Sequence, residues 1–303
     1  MKYRSYILWG LFIGLLVTGV IHISRIITSE THSSLVDFSQ GSPTGSLLLG
    51  LAVLLLFLHS LWTIGFHRGL ALIVIGFVLA LFFEVLGVNY GAIFGHYAYY
   101  PAISPRVMDV PLLVPAIWAG FIYGSFSIMS SFYIWLNRKT FGDTYPGIRS
   151  KLIFAGLGAM VVLAIDVVME PLQVKAHNWT WLESGQYFDI PAQNFLGWFL
   201  LVFFSLLIFL FLQEHLPQKK RRNNEMHLLL IPVLAYGLLC LTLALWAFLS
   251  NIPLLSVIAV LTMLPIVIVN LKLFARWRAL LPAATGATAA ATPAAETAEA
   301  GTM

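Results

Sequence analysis

The chain has 303 residues, 59% of them apolar and only 10% charged, with a mean hydropathy of +0.88. Soluble domains carry about 25% charged residues because their surfaces face water, and 17 basic plus 13 acidic residues are too few to coat a globule of this size. That excludes a soluble enzyme with a hydrated shell, a nucleic-acid binder and, with Cys240 as the single cysteine, a disulfide scaffold.

A hydrocarbon core about 30 Å thick needs about 20 apolar residues of helix. Eight such runs follow in order: 6–27, 47–66, 69–88, 112–136, 151–170, 194–213, 227–249 and 253–271. The first follows Lys2 and Arg4. It is long for the apolar part of a signal peptide and lacks a clear cleavage pattern, so it reads as a retained helix. Between the runs lie turn-forming stretches such as Pro101–Pro111, Gly142–Gly147 and Pro217–Asn224. Pro171 is expected to end the fifth helix. The pairs Gly10/Gly14, Gly65/Gly69, Gly91/Gly95 and Gly120/Gly124 have the spacing that lets membrane helices approach closely, a spacing that also arises often by chance in apolar sequence.

Charge sets the orientation. With the N-terminus inside, eight spans gather Lys2, Arg4, Arg68, Arg138, Lys139, Arg149, Lys151, Lys219, Lys220, Arg221, Arg222, Lys272, Arg276 and Arg278 on the inner side. Only Arg25, Arg106 and Lys175 remain outside. Such a bias supports the count and places both termini in the cytoplasm. The expected fold is an all-α polytopic membrane bundle of about eight transmembrane helices over residues 1–280, multi-pass in the cell membrane. Residues 281–303 are rich in Ala, Thr, Gly and Pro and are expected to be a disordered tail.

Three acids lie within these runs: Glu84, Asp166 and Glu170. An ionisable side chain in a span costs about 2.5–3.5 kcal/mol and marks a functional candidate. Glu84 and Asp166 each lie 15 residues from the inner end of their span, roughly 22 Å, so both fall in the outer third of the bilayer. Glu170 follows Asp166 by one turn on the same face. The outer loops beside them mix glycine with aromatics. One carries His96, Tyr97 and Tyr99; the other carries His177, Trp179 and Trp181, and leads into Asn194 and Trp198. Aromatic residues gather at membrane interfaces in any case, a buried acid can be structural, and Glu170 can be solvated at the boundary. The co-location of three acids on one side nevertheless outlines a pocket. Among the histidines, His59 sits mid-span and reads as a hydrogen-bonded packing residue, while His96 and His177 leave a mixed carboxylate–histidine metal site open. No His-x-x-x-His pair, phosphate-binding glycine loop, dinucleotide fingerprint or Asp-rich diphosphate motif is present.

Two blocks carry a resemblance. The first is Glu84-(x)2-Gly87-Val88-(x)2-Gly91-(x)2-Phe94-Gly95-(x)-Tyr97-(x)-Tyr99, followed by Val110-Pro111-(x)3-Pro115-(x)2-Trp118. The second is Asp166-(x)3-Glu170-Pro171, then Trp179-(x)-Trp181 and Tyr187-(x)2-Ile190-Pro191-(x)2-Asn194-Phe195-(x)-Gly197-Trp198. Together they resemble the membrane-embedded carotenoid biosynthesis family, which includes carotenoid 1,2-hydratases and hydratases of bacterioruberin precursors. The likeness covers roughly residues 80–200. Departures are Glu170-Pro171 where the family usually has Asp-Pro, Asp189 where it usually has Gly, and an atypical stretch over 89–93.

The resemblance implies addition of water across a terminal isoprenoid double bond of a carotenoid, within the lipid bilayer and without cofactor or metal. Such chemistry needs a carboxylic acid that burial keeps protonated. It also needs aromatic faces to steady a carbocation and a polar group to hold water. The expected catalytic residues are Asp166 as the acid, with Glu84 and Glu170 positioning water or sharing the proton. Tyr97, Tyr99, Trp179, Trp181, Asn194, Trp198 and His96 are expected to bind substrate. Competing readings are an ion-coupled transporter, a non-catalytic polyene binder, and another proton-initiated end-group enzyme such as a cyclase.

Overall fold

The computed structural model describes residues 2–28, 43–100, 104–137, 147–219 and 223–279. The expected tail over 281–303 and the basic residues Arg138, Lys139, Lys220, Arg221 and Arg222 lie outside them. The described residues form eight α-helices: α1 (Lys2–Thr28), α2 (Pro43–Thr63), α3 (Phe66–Tyr90), α4 (Leu113–Asn137), α5 (Gly147–Lys175), α6 (Ala192–Leu212), α7 (Leu230–Leu249) and α8 (Pro253–Ala279). Each predicted run coincides with one helix. Seven of the eight are long and apolar enough to cross a membrane; α2 contributes a shorter apolar stretch, Leu47–Thr63, about 25 Å long at helical rise. The chain is thus a multi-pass integral membrane bundle.

Helix α4 is the hub, packing against α2, α3, α5, α6, α7 and α8. Its buried residues include Ile122, Tyr123, Phe126 and Ile128, with small hydroxyls at Ser125, Ser127, Ser130 and Ser131 between them. The Ser131 hydroxyl returns to the Ser127 carbonyl at 2.7 Å, so it is buried without a lost hydrogen bond. Close packing of α5 on α6 depends on Gly158, where a Cβ would run into the Leu206 side chain. A smaller apolar cluster of Leu8, Phe12, Leu15, Leu55, Leu228 and Ile231 fastens α1 and α2 to the start of α7. His59 is a packing residue: it is fully buried, its Nδ1 lies 2.6 Å from the Tyr123 hydroxyl and its Nε2 lies 2.9 Å from the Leu228 carbonyl oxygen.

Pro171 does not end α5, contrary to expectation; the helix runs on to Lys175. Proline lacks an N–H, so the Val167 carbonyl loses its partner in the helix. The Tyr187 hydroxyl takes that place, donating to Val167 O at 2.7 Å, which lets the helix continue.

The loops at the α3–α4 and α5–α6 ends also hold short strands that the helical reading did not anticipate. β1 (Tyr97–Tyr99), β2 (Arg106–Val107), β3 (Val110–Pro111) and β4 (Trp179–Trp181) make two antiparallel pairs, β1 with β4 and β2 with β3. Met108 and Asp109 close the β2–β3 hairpin with φ of 48° and 64°, as a two-residue hairpin turn demands.

Candidate active site

β1 and β4 read Tyr-Ala-Tyr and Trp-Thr-Trp. A strand turns alternate side chains to one face, so both tyrosines and both tryptophans point the same way, with Ala98 and Thr180 between them. The register pairs Tyr97 with Trp181 and Tyr99 with Trp179, and their rings meet at 5.0 and 5.8 Å between centroids. Backbone bonds from Tyr100 N to Asn178 O (3.1 Å) and from Leu182 N to His96 O (3.0 Å) extend the ladder at both ends.

Two carboxyl groups lie beneath this sheet. The Tyr97 hydroxyl and, at 2.7 Å, the Tyr99 hydroxyl donate to Glu84 Oε2. Trp179 Nε1 and Trp181 Nε1 donate to Glu170 Oε1 at 2.6 and 2.9 Å. Each strand therefore holds one acid, and strand pairing sets the two acids side by side. Glu84 is 4% exposed and Glu170 is 2% exposed, so these bonds form in a dry setting where their geometry is strongly held. Burial first, and then the neighbouring Glu84, pushes both phenols well above the ordinary tyrosine range, with a smaller contribution from Glu170 at Tyr99. Both phenols stay protonated donors.

A fifth donor, Trp118, stands in the first sequence block but carries no site role there. Trp118 Nε1 gives its hydrogen to Glu84 Oε1 at 2.8 Å, completing a three-donor cage around that carboxyl group. A signal was available: Trp118 lies five residues into α4 and Glu84 lies six residues from the end of α3, so both are about 8–9 Å from the same ends of the bundle. Trp118 also packs on Trp198, with centroids 3.9 Å apart.

Asp166 is fully buried one turn below Glu170. Its Oδ2 accepts a bond from Asn194 Nδ2 at 3.2 Å, and its Oδ1 has no hydrogen-bond partner among the described residues. It lies close enough to Glu170 to interact electrostatically, and Tyr187, half-buried, is pushed up to about 12 by burial and by Asp166. The three expected acids thus form one cluster, Glu84 beside Glu170 and Glu170 above Asp166.

This cluster heads a cavity of about 310 Å³. Glu84, Glu170, Gln173, Asn194 and Trp198 line its polar end together with the four strand aromatics. Asp166 is not part of the wall. His96, expected among the substrate-binding residues, is not either. Its ring rests against Gly91, which caps α3 in the left-handed conformation at φ 64°. His177 stacks edge-on against Tyr100 at 6.0 Å, at the exposed rim. Among the described residues no group of three or more His, Cys, Asp or Glu is placed to hold a metal ion.

Loop shape is set by close contacts. A Cβ at Gly87 would lie 2.8 Å from the Tyr97 ring, and one at Gly197 would lie 2.9 Å from the Ile93 carbonyl oxygen and against the Phe94 ring. These two glycines let the 91–99 loop lie flat across α3 and α6.

A family model described as carotenoid biosynthesis protein matches residues 44–269, a span that includes every residue of the cluster and the sheet above it. No curated protein and no solved structure matches the chain.

Proposed function

This chain belongs to the carotenoid biosynthesis protein family, and we propose that it is an enzyme adding water across a terminal isoprenoid double bond of a carotenoid. The observation that carries this reading is the aromatic sheet holding Glu84 and Glu170 at the polar end of an apolar cavity.

Hydration of an alkene needs a proton donor, a shelter for the cation and a held water. Glu170 is the donor in this reading, in place of the Asp166 favoured by sequence. It lines the cavity and both tryptophan N–H groups bond its Oε1, leaving Oε2 without a hydrogen bond among the described residues. The Oε2 proton passes to the less substituted alkene carbon, whose π electrons form the new C–H bond, and a tertiary cation is left on its neighbour. The aromatic faces of Trp198, Trp181 and Tyr97 and the negative pole of the caged Glu84 favour that cation. Water held by Asn194 or Gln173 forms the C–O bond, and its proton returns to the Glu170 carboxylate. Asp166, behind Glu170, shares the proton during the cycle. Alkene and water give a tertiary alcohol, with no oxidant. The bias of 14 of the 17 basic residues toward the opposite helix ends supports a site near the outer leaflet in this reading.

The test is expression in a lycopene-accumulating host, with mass analysis of the extracted pigments. Wild type should yield product heavier by one water. Glu170→Gln should lower its amount about a hundredfold or more, the usual scale for a lost general acid. Wild-type product from Glu170→Gln, Glu84→Gln and Asp166→Asn alike would remove acid catalysis from the account. A ring-closed product without added water would assign the same donor to cyclisation.

A further inference from the structure

The carboxyl end of the cavity accounts for the reacting end of a substrate, but the cavity continues well past it. Its walls follow α4 from Val114 to Ile128 and α7 from Pro232 to Trp246, each about 21 Å at helical rise. The cavity, about 310 Å³, is thus an elongated slot, flanked also by α1 and α2 through Leu15, Gly19, Leu48, Ala52 and Leu56. Past the acids the lining is almost wholly apolar. The Ser125 and Tyr236 hydroxyls on its wall are turned onto the Ile122 and Val161 carbonyls, at 3.0 and 2.8 Å.

Gly120 and Gly124 stand four residues apart on α4, on the face turned to this slot. Their spacing matches the motif for close helix packing, but only Gly120 has a neighbouring helix close by. A Cβ at Gly124 would meet nothing within 4 Å, and one at Gly120 would meet only the Leu56 side chain, at 3.3 Å. Gly120 thus makes room for Leu56 of α2, and Gly124 keeps space empty. A second observation gives that space a direction: Glu170, 2% exposed, lines the slot at one end with Oε2 unpartnered among the described residues.

We infer that the face of α4 at Gly124 determines which substrates the site accepts, reserving a path for a straight, rigid, elongated apolar chain. That chain runs from the carboxyl end toward Ile128, Val161 and Pro232. A saturated chain of the same length loses rotational freedom when held extended along such a slot, whereas a conjugated chain is already straight and loses little. Gly124 lies six residues past Trp118, about 9 Å further along the slot. A side chain there obstructs the tail of a long substrate without reaching the carboxyl groups. The inference rests on the hydration reading for which end reacts.

The test uses the purified full chain in lipid nanodiscs, as wild type, Gly124→Ala, Gly124→Leu and Gly124→Phe. The probes are lycopene and geraniol, which share the terminal isoprenoid unit and differ in length. The ratio of lycopene to geraniol turnover should fall in the order Ala, Leu, Phe, by about tenfold or more for the largest. The lycopene retained by the purified protein, read from its visible absorption, should fall in the same order. A ratio and a retention unchanged across the series would overturn the inference, as would equal loss of both probes. Wild type that retains lycopene, loses it in Gly124→Phe and never hydrates it would refute the hydration reading and leave the slot standing.

Discussion

Tyr187 serves α5 and the acid cluster at once. Its hydroxyl satisfies the Val167 carbonyl freed by Pro171, and its ring lies near Asp166. Tyr187→Phe leaves that carbonyl unpaired and should destabilise the protein by about 1–3 kcal/mol, visible as a lower thermal midpoint in detergent. An unchanged midpoint would show that α5 does not depend on this bond. The phenol also predicts an alkaline limit. Unfolded tyrosine ionises near its ordinary value of about 10, while folded Tyr187 keeps its proton to about 12. Between those values the folded state binds more protons, so its contribution is full below pH 10 and is lost as pH rises toward 12. Unfolding midpoints should fall across that window, and less steeply in Tyr187→Phe. Asp189 tells a smaller story. Its φ of 62° is the left-handed conformation that favours glycine. Asp189→Gly should gain about 1 kcal/mol, measured in the same unfolding experiment.

The two short strands matter more than their length. β1 and β4 each supply two donors, and their pairing fixes the spacing of Glu84 and Glu170. Gly87 is where this arrangement is most easily broken, because a Cβ would press on the Tyr97 ring at 2.8 Å. Gly87→Ala should therefore pull Tyr97 off Glu84. Overpacking of this kind costs about 1–3 kcal/mol, while product formation should drop far more than stability; equal activity at lowered stability would mean that the sheet is only a cap. At this scale the sequence was partly legible. Continuous apolar runs exposed all eight helices, because a bilayer imposes a length on each. Three-residue strands impose none, and β1 and β4 lie about 80 residues apart in the chain, so their pairing could not be read locally. The residues themselves were visible as candidates; that their N–H and O–H groups bind carboxyls, and that Trp118 joins them, depended on the fold.

Across the whole molecule, α4 organises the bundle and one cavity threads it from an acid-rich end to an apolar one. Matched depth in the sequence foretold that Glu84 and Asp166 would meet, and they do so through Glu170. It did not reveal that Asp166 would sit behind the wall and Glu170 within it, because i and i+4 share a helical face while only packing decides which one meets a void. The central claim is that water is added by a carboxyl group at the end of this cavity. Purified protein in lipid, given lycopene in water labelled with heavy oxygen, tests it most directly by mass analysis of the pigment hydroxyl. The account predicts label in the wild-type hydroxyl and almost no hydroxylated pigment from Glu170→Gln. A hydroxyl oxygen drawn from dissolved dioxygen, or labelled alcohol formed equally well by Glu170→Gln, would contradict it.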